Sequence, residues 1–118
     1  MAKTSEKTAE RRDLFPGALE LMILQSLRRK PMHGYALVRH IQAGSNDLLQ
    51  IEEGSLYPAL QRMLREGWLR AEAGISAKGR PTRIYHVTKA GLQRLEQEKA
   101  SFVTMFDGIS RVLTLAQE

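Results

Sequence analysis

The stretch EEGSLYPALQRMLREGW, Glu52 to Trp68, decides how the rest of the chain is read. From Leu56 onward, Leu56, Ala59, Leu60, Met63 and Leu64 recur at steps of three and four residues, one stripe of an amphipathic helix. Its opening turns nevertheless hold Gly54, Ser55, Tyr57 and Pro58, several of them turn-favouring types. A helix with so regular a stripe and so irregular a start presents that start to something other than its own core. With the stripe inward, Ser55, Pro58, Gln61, Arg62 and Arg65 lie on the opposite face and Tyr57 at the boundary. Helix N-termini carry unpaired N–H groups and the positive dipole end, so Gly54 and Ser55 let the backbone come close to a phosphate. Pro58 reads as near the first turn, where its missing N–H removes little; a start at Glu53 imposes a mild kink. Gln61 can pair with adenine and Arg62 with guanine in bidentate fashion, each worth ~1–3 kcal/mol of discrimination. Glu52 and Glu53 repel phosphates and read as caps or as a screen against wrong docking.

The flanking segments complete a motif. Pro16 takes the first helical position, and Ala18, Leu19, Leu21, Met22, Ile23, Leu24 and Leu27 make a helix buried on most of its circumference, ended by Pro31. KPMHG reads as a turn. Tyr35, Ala36, Leu37, Val38 and Ile41 then form a shorter amphipathic helix stopping near Gly44, and SNDLLQ is a polar link. WLRAEAG and PTRIYHVT alternate as strands do around the turn-rich ISAKGR, which predicts a two-stranded hairpin. Thr88 suits an N-cap for a last long helix, along which Leu92, Leu95, Phe102, Phe106, Ile109, Leu113 and Ala116 form an apolar seam with Lys99 at its one gap. At the usual rise this helix is about 40 Å long, more than the small body it leaves, so the seam reads as a dimerisation surface for a second copy. The expected fold is mainly α with a small β-hairpin: a mobile arm at 1–13, a winged helix-turn-helix DNA-binding domain at 14–88, and a dimerisation helix at 89–118. In that arrangement the second helix of the motif enters the DNA major groove and the first crosses the backbone.

Composition points the same way. The 118 residues make one domain, with 18 Lys and Arg against 13 Asp and Glu, a net +5. No acid occurs between Glu72 and Glu96, whereas Lys78, Arg80 and Arg83 cluster at the hairpin. Solvated charged faces usually mix signs, so this cluster of cations at the hairpin's turn, with no acid nearby, suits a wing lying over phosphates or entering the minor groove. Lys78-Gly79-Arg80-Pro81 resembles the core of an AT-hook, but one tetrapeptide does not carry A·T specificity. There is no Cys, and His33, His40 and His86 are scattered, so neither a metal nor a cofactor is expected. No Ser/His/Asp set, glycine-rich phosphate loop or HExxH indicates an enzyme. With no signal-like or membrane-length apolar run, a cytoplasmic protein is the expectation. Blander readings stand beside the functional ones. Tyr35 and Tyr57 fit boundary aromatics, His33 a helix-start residue, and Arg28, Arg29 and Lys30 a response to the helix dipole.

LELMILQSL, HGYALVRHIQ, EEGSLYPALQRMLREGWL, GRPTRIYHVTKAG and the long last helix together resemble the PadR family of bacterial transcriptional regulators, in its short form with one C-terminal helix. The resemblance spans about residues 14–115 and rests on HGY, GSLYPAL and YxxTxxG at these separations. It implies a homodimeric winged-helix repressor, joined through the last helix with help from the first and released from its operator by a small molecule or stress signal. It also implies DNA-contact roles for Ser55, Tyr57, Gln61 and Arg62, for the basic wing, and for His33 and Tyr35 at the start of the second helix. Many short-form members carry Trp where this chain has Ala73.

In such a dimer two recognition helices about 34 Å apart would enter successive major grooves of a palindromic site on double-stranded DNA. A ligand changing the angle between last helix and body would alter that spacing. The alternative is a winged helix that binds RNA or a protein partner, whose Gln61/Arg62 face would then show no sequence preference.

Overall fold

The computed structural model describes residues 17–117; the expected arm at 1–13 and Pro16 lie outside the described residues, as does the side chain of Ala116. Among the described residues four helices and three short strands follow in the order α1 (Ala18–Arg29), β1 (Met32–His33), α2 (Gly34–Gly44), α3 (Glu53–Arg65), β2 (Leu69–Ile75), β3 (Pro81–Val87) and α4 (Lys89–Gln117). α1 buries Ile23, Leu24 and Leu27 and carries Arg28 and Arg29 in its last turn, where they face the negative end of the helix dipole. It stops because Lys30, restricted by the proline after it, is extended at φ −167°.

The antiparallel sheet runs β1-β3-β2, with Met32 opposite Tyr85 and Leu69 opposite Val87. The KPMHG segment is therefore more than a turn, and the expected two-stranded hairpin is a three-stranded sheet. Two residues are too few to show strand alternation in sequence; pairing with β3 is what makes Met32–His33 a strand. Tyr85 and Leu69 turn inward onto a core formed with Ile23, Leu37, Leu56 and Leu60.

α3 ends on Gly67 at φ +81°, with Trp68 N–H donating to the Met63 carbonyl at 3.0 Å and Gly67 N–H to that of Leu64 at 3.1 Å. This is a Schellman closure, and it needs a residue free to adopt the left-handed conformation. The same corner launches α4. Thr88 Oγ1 accepts from Gly91 N–H at 3.0 Å and donates to the Gly67 carbonyl at 2.6 Å, while Thr88 N–H donates to the Trp68 carbonyl at 3.0 Å. Thr88→Ala is expected to lower stability by about 1 kcal/mol through loss of the cap, measured as a shifted urea midpoint at unchanged slope.

α4 begins against the body and then leaves it. Leu95, expected in the seam for a second copy, is only 1% exposed and belongs to the chain's own core. The first turns of α4 pack on α1, with Arg28 Nη1 3.4 Å from Glu96 Oε2, so the apolar repeat there serves the monomer. Leu92 is half-exposed. Beyond Phe102, whose ring stacks on Phe106 at 6.4 Å, the residues Val103, Phe106, Ile109, Val112 and Leu113 are 41–65% exposed. Among the described residues no helix is long and apolar enough to cross a membrane.

Candidate nucleic-acid interface

α3 begins at Glu53 with Glu52 as its N-cap residue, the Glu52 carbonyl accepting from Ser55 and Leu56 N–H at 3.0 Å each. Pro58 consequently sits in the second turn rather than the first, and it has no N–H to give the Gly54 carbonyl. Leu56, Ala59, Leu60 and Met63 are buried, which turns Pro58, Gln61 and Arg65 to the exposed opposite face. Tyr57 and Leu64 lie on one flank, Ser55 and Arg62 on the other; Ser55 is only half-exposed.

Tyr57 joins α3 to α2. Its ring covers Gly34, where an added Cβ would lie 2.7 Å from the Tyr57 hydroxyl oxygen. Partial desolvation of this still 41% exposed side chain, helped by the nearby Glu53 carboxylate, pushes the Tyr57 hydroxyl above the ordinary tyrosine value. Gly34 follows His33, whose Nδ1 accepts from Ala36 N–H at 3.3 Å and caps α2. His33 is thus a helix-start residue, half-buried, with its backbone paired to Ile84. Tyr35 is 55% exposed, with the Arg39 guanidinium 5.8 Å from its ring centroid.

The loop between β2 and β3 is tied by Ser76, whose N–H donates to the Arg80 carbonyl at 2.8 Å and whose Oγ accepts from Arg80 N–H at 3.2 Å. Gly79 takes φ +78° at its tip. Lys78, Arg80 and Arg83 are exposed, and none of them pairs with an acid among the described residues. Arg83 shares a sheet face with Tyr85, two residues on, so it extends the core side of the sheet into solvent. The wing's only acid, Glu72, is held on the other face by His86, Oε1 to Nε2 at 2.6 Å.

One contact was not foreseen. Arg62 Nη2 and Nε lie 2.9 and 3.0 Å from Oε2 of Glu20 in the first turn of α1. A sign was present in the sequence: Glu20 is the lone acid in a helix buried on most of its circumference, and a carboxylate so placed needs a partner. Among the described residues no group of three or more Asp, Glu or His side chains could hold a metal ion.

The geometry is that of a winged helix with an unscreened basic wing. The model of the Transcriptional regulator PadR-like family matches residues 23–97, well over half of the chain. The chain belongs to the PadR-like family. It is therefore a transcriptional regulator rather than an enzyme. Three solved structures show how far the PadR-like fold carries. A PadR family transcriptional regulator from Eggerthella lenta is 29% identical with a TM-score of 0.73, covering 96% of each chain. A transcriptional regulator from Clostridium thermocellum, 23% identical, superposes at TM-score 0.76 over 84% of this chain and 96% of that one. Bacillus subtilis PadR, solved in complex with operator DNA, is 22% identical at TM-score 0.61 over 68% of this chain and 45% of its own. Two of the stretches that carry the resemblance touch, HGY and GSLYP through Gly34 and Tyr57, while YxxTxxG supplies core Tyr85, capping Thr88 and Gly91 against Trp68.

Proposed function

We propose that this PadR-family protein is a homodimeric repressor that binds a palindromic operator on double-stranded DNA. The observation that carries it is the wing: three exposed cations without acid partners among the described residues, on a hairpin whose single carboxylate is held by His86 on the face away from Arg83. Phosphates are the chemistry such a surface attracts. Support also comes from the Bacillus subtilis PadR structure with operator DNA. In this reading residues 14–88 form the DNA-binding unit and 89–118 the dimerisation helix. Lys78, Arg80 and Arg83, with His33, Tyr35, Ser55 and Tyr57 at the two helix starts, hold the backbone. Pro58, Gln61, Arg62 and Arg65 face the bases. Leu92, Phe102, Phe106, Ile109 and Leu113 contact the second copy, and a small-molecule effector that changes the angle of α4 to the body releases the operator.

Fluorescence anisotropy on two labelled duplexes tests this: one enriched by the protein from a random-sequence pool, one its shuffled equivalent, at several salt concentrations. The protein is expected to prefer the enriched duplex, with affinity falling steeply as salt rises. Gln61→Ala is expected to cost ~1–3 kcal/mol on the enriched duplex and nothing on the shuffled one. Equal, weak binding to both would instead direct attention to an RNA or protein partner.

A further inference from the structure

We infer that Glu20 is a specificity-determining positioning residue, a buttress on α1 that fixes the Arg62 guanidinium for base recognition and keeps it off the phosphates. The inference rests on the DNA-binding reading above and deepens it. Glu20 is a well-anchored partner: its side chain is 20% exposed, on a helix whose neighbouring residues pack into the core. Arg62 is 53% exposed and belongs to a different helix, so the pair crosses from the scaffold to the reading element. Both N–H···O contacts go to one carboxylate oxygen, from Nε and Nη2. A guanidinium has five donors in a rigid fork, and the Nη1 group makes no hydrogen bond among the described residues. The held edge therefore faces Glu20 and the outer end of the fork is presented to solvent.

Two physical consequences follow from this arrangement. First, an arginine already fixed by a carboxylate loses less side-chain freedom when it binds, so directional hydrogen bonds to a guanine edge cost less to form. Second, the pair is close to neutral as a whole. Its attraction for a phosphate is weak, while its donors keep their geometry. A free arginine at this place would instead drop onto the backbone, which gives affinity without sequence information. Arg65, one helical turn further on, has no acid partner among the described residues and is the natural contrast.

Glu20→Gln, nearly isosteric, tests the assignment on the same enriched and shuffled duplexes over a salt series. The ratio of the two affinities is expected to fall about tenfold, a loss the size of one bidentate contact. Affinity for the shuffled duplex is expected to hold or rise, with a salt slope steeper by about one as the freed Arg62 takes a phosphate. In an Arg62→Ala background the same change should leave the ratio where Arg62→Ala alone puts it. In the protein without DNA, the Arg62 Nε–H resonance should be protected from exchange in wild type and lose that protection in Glu20→Gln. If Glu20→Gln lowers the melting temperature, Glu20→Asp repeats the comparison: it keeps the charge but falls one methylene short of Arg62, and should lower the ratio as well. An unchanged ratio overturns the assignment, as does an equal fall on both duplexes, the mark of a merely structural pair. Tighter operator binding with the ratio intact would make Glu20 a mask on Arg62 and overturn it too. If the wild-type protein does not separate the two duplexes, the DNA-binding reading itself fails, and this is visible before any variant is compared.

Discussion

Gly91→Ala is expected to destabilise the protein by roughly 3 kcal/mol, at or beyond the upper end of ordinary overpacking. A Cβ at this position would overlap the Trp68 carbonyl oxygen and come within 2.8 Å of Val87 Cγ2. The first obstacle is backbone, and it is not free to retreat. The Trp68 carbonyl accepts the Thr88 N–H at 3.0 Å, and Gly91 N–H is itself held by the Thr88 hydroxyl. Relief would require shifting either the start of β2 or the first turn of α4, both anchored in the core. Intrinsic helix propensity pulls the other way, since alanine is worth up to ~1 kcal/mol over glycine in a helix, but it is the smaller term. Gly54 provides the comparison: it is also helical and would meet nothing within 4 Å, so alanine there should change stability by at most about 1 kcal/mol. Urea unfolding followed by far-ultraviolet circular dichroism gives both values. A Gly91→Ala protein as stable as wild type would mean that the corner between Trp68 and α4 yields easily.

This corner also shows what could be read from the residues and what could not. Thr88 was legible as a cap because a hydroxyl before a periodic run has a local mechanism, and the structure has it capping α4. The stripe of α3 was legible for the same reason: Leu56, Ala59, Leu60 and Met63 are buried as their spacing requires. What escaped depends on partners distant in sequence. Met32–His33 is a strand only through β3, about fifty residues later. Gly34 and Gly91 are needed for the side chain and the carbonyl that lie against them, Tyr57 and Trp68, which a one-dimensional reading cannot place. Leu95 fits the apolar repeat of α4 as well as Phe102 does, and periodicity alone cannot say where that repeat stops facing its own body and starts facing outward. Arg62 was legible as a cation on the exposed side of α3, but its tie to Glu20 crosses from one helix to another and left only the trace of a lone acid in α1.

Where the repeat does turn outward, its disruption is expected to have the largest functional effect. On the dimeric reading proposed above, Phe106→Glu combined with Ile109→Glu should convert a dimer to monomers and weaken operator binding by at least about a hundredfold. Both residues lie in the outer half of α4, well past core Leu95, and are 55% and 41% exposed, so carboxylates there cost the monomer little. At a dimer seam the same carboxylates would be buried without partners and would meet their symmetry mates across a two-fold axis, a penalty of several kcal/mol. The loss on DNA then follows from geometry rather than from any change in the reading face. Two recognition helices joined at a fixed spacing bind a palindrome with the second half-site contact made intramolecular, an advantage of about 10²–10⁴ that separate monomers forfeit. Sedimentation equilibrium reads the assembly state, anisotropy on the enriched duplex reads the affinity, and circular dichroism should stay helical. A doubly substituted protein that still sediments as a dimer would place the interface elsewhere on the chain. One that is monomeric yet binds the operator as tightly as wild type would show that a single winged helix suffices, leaving the length and exposed apolar face of α4 to serve some purpose other than spacing two readers on DNA.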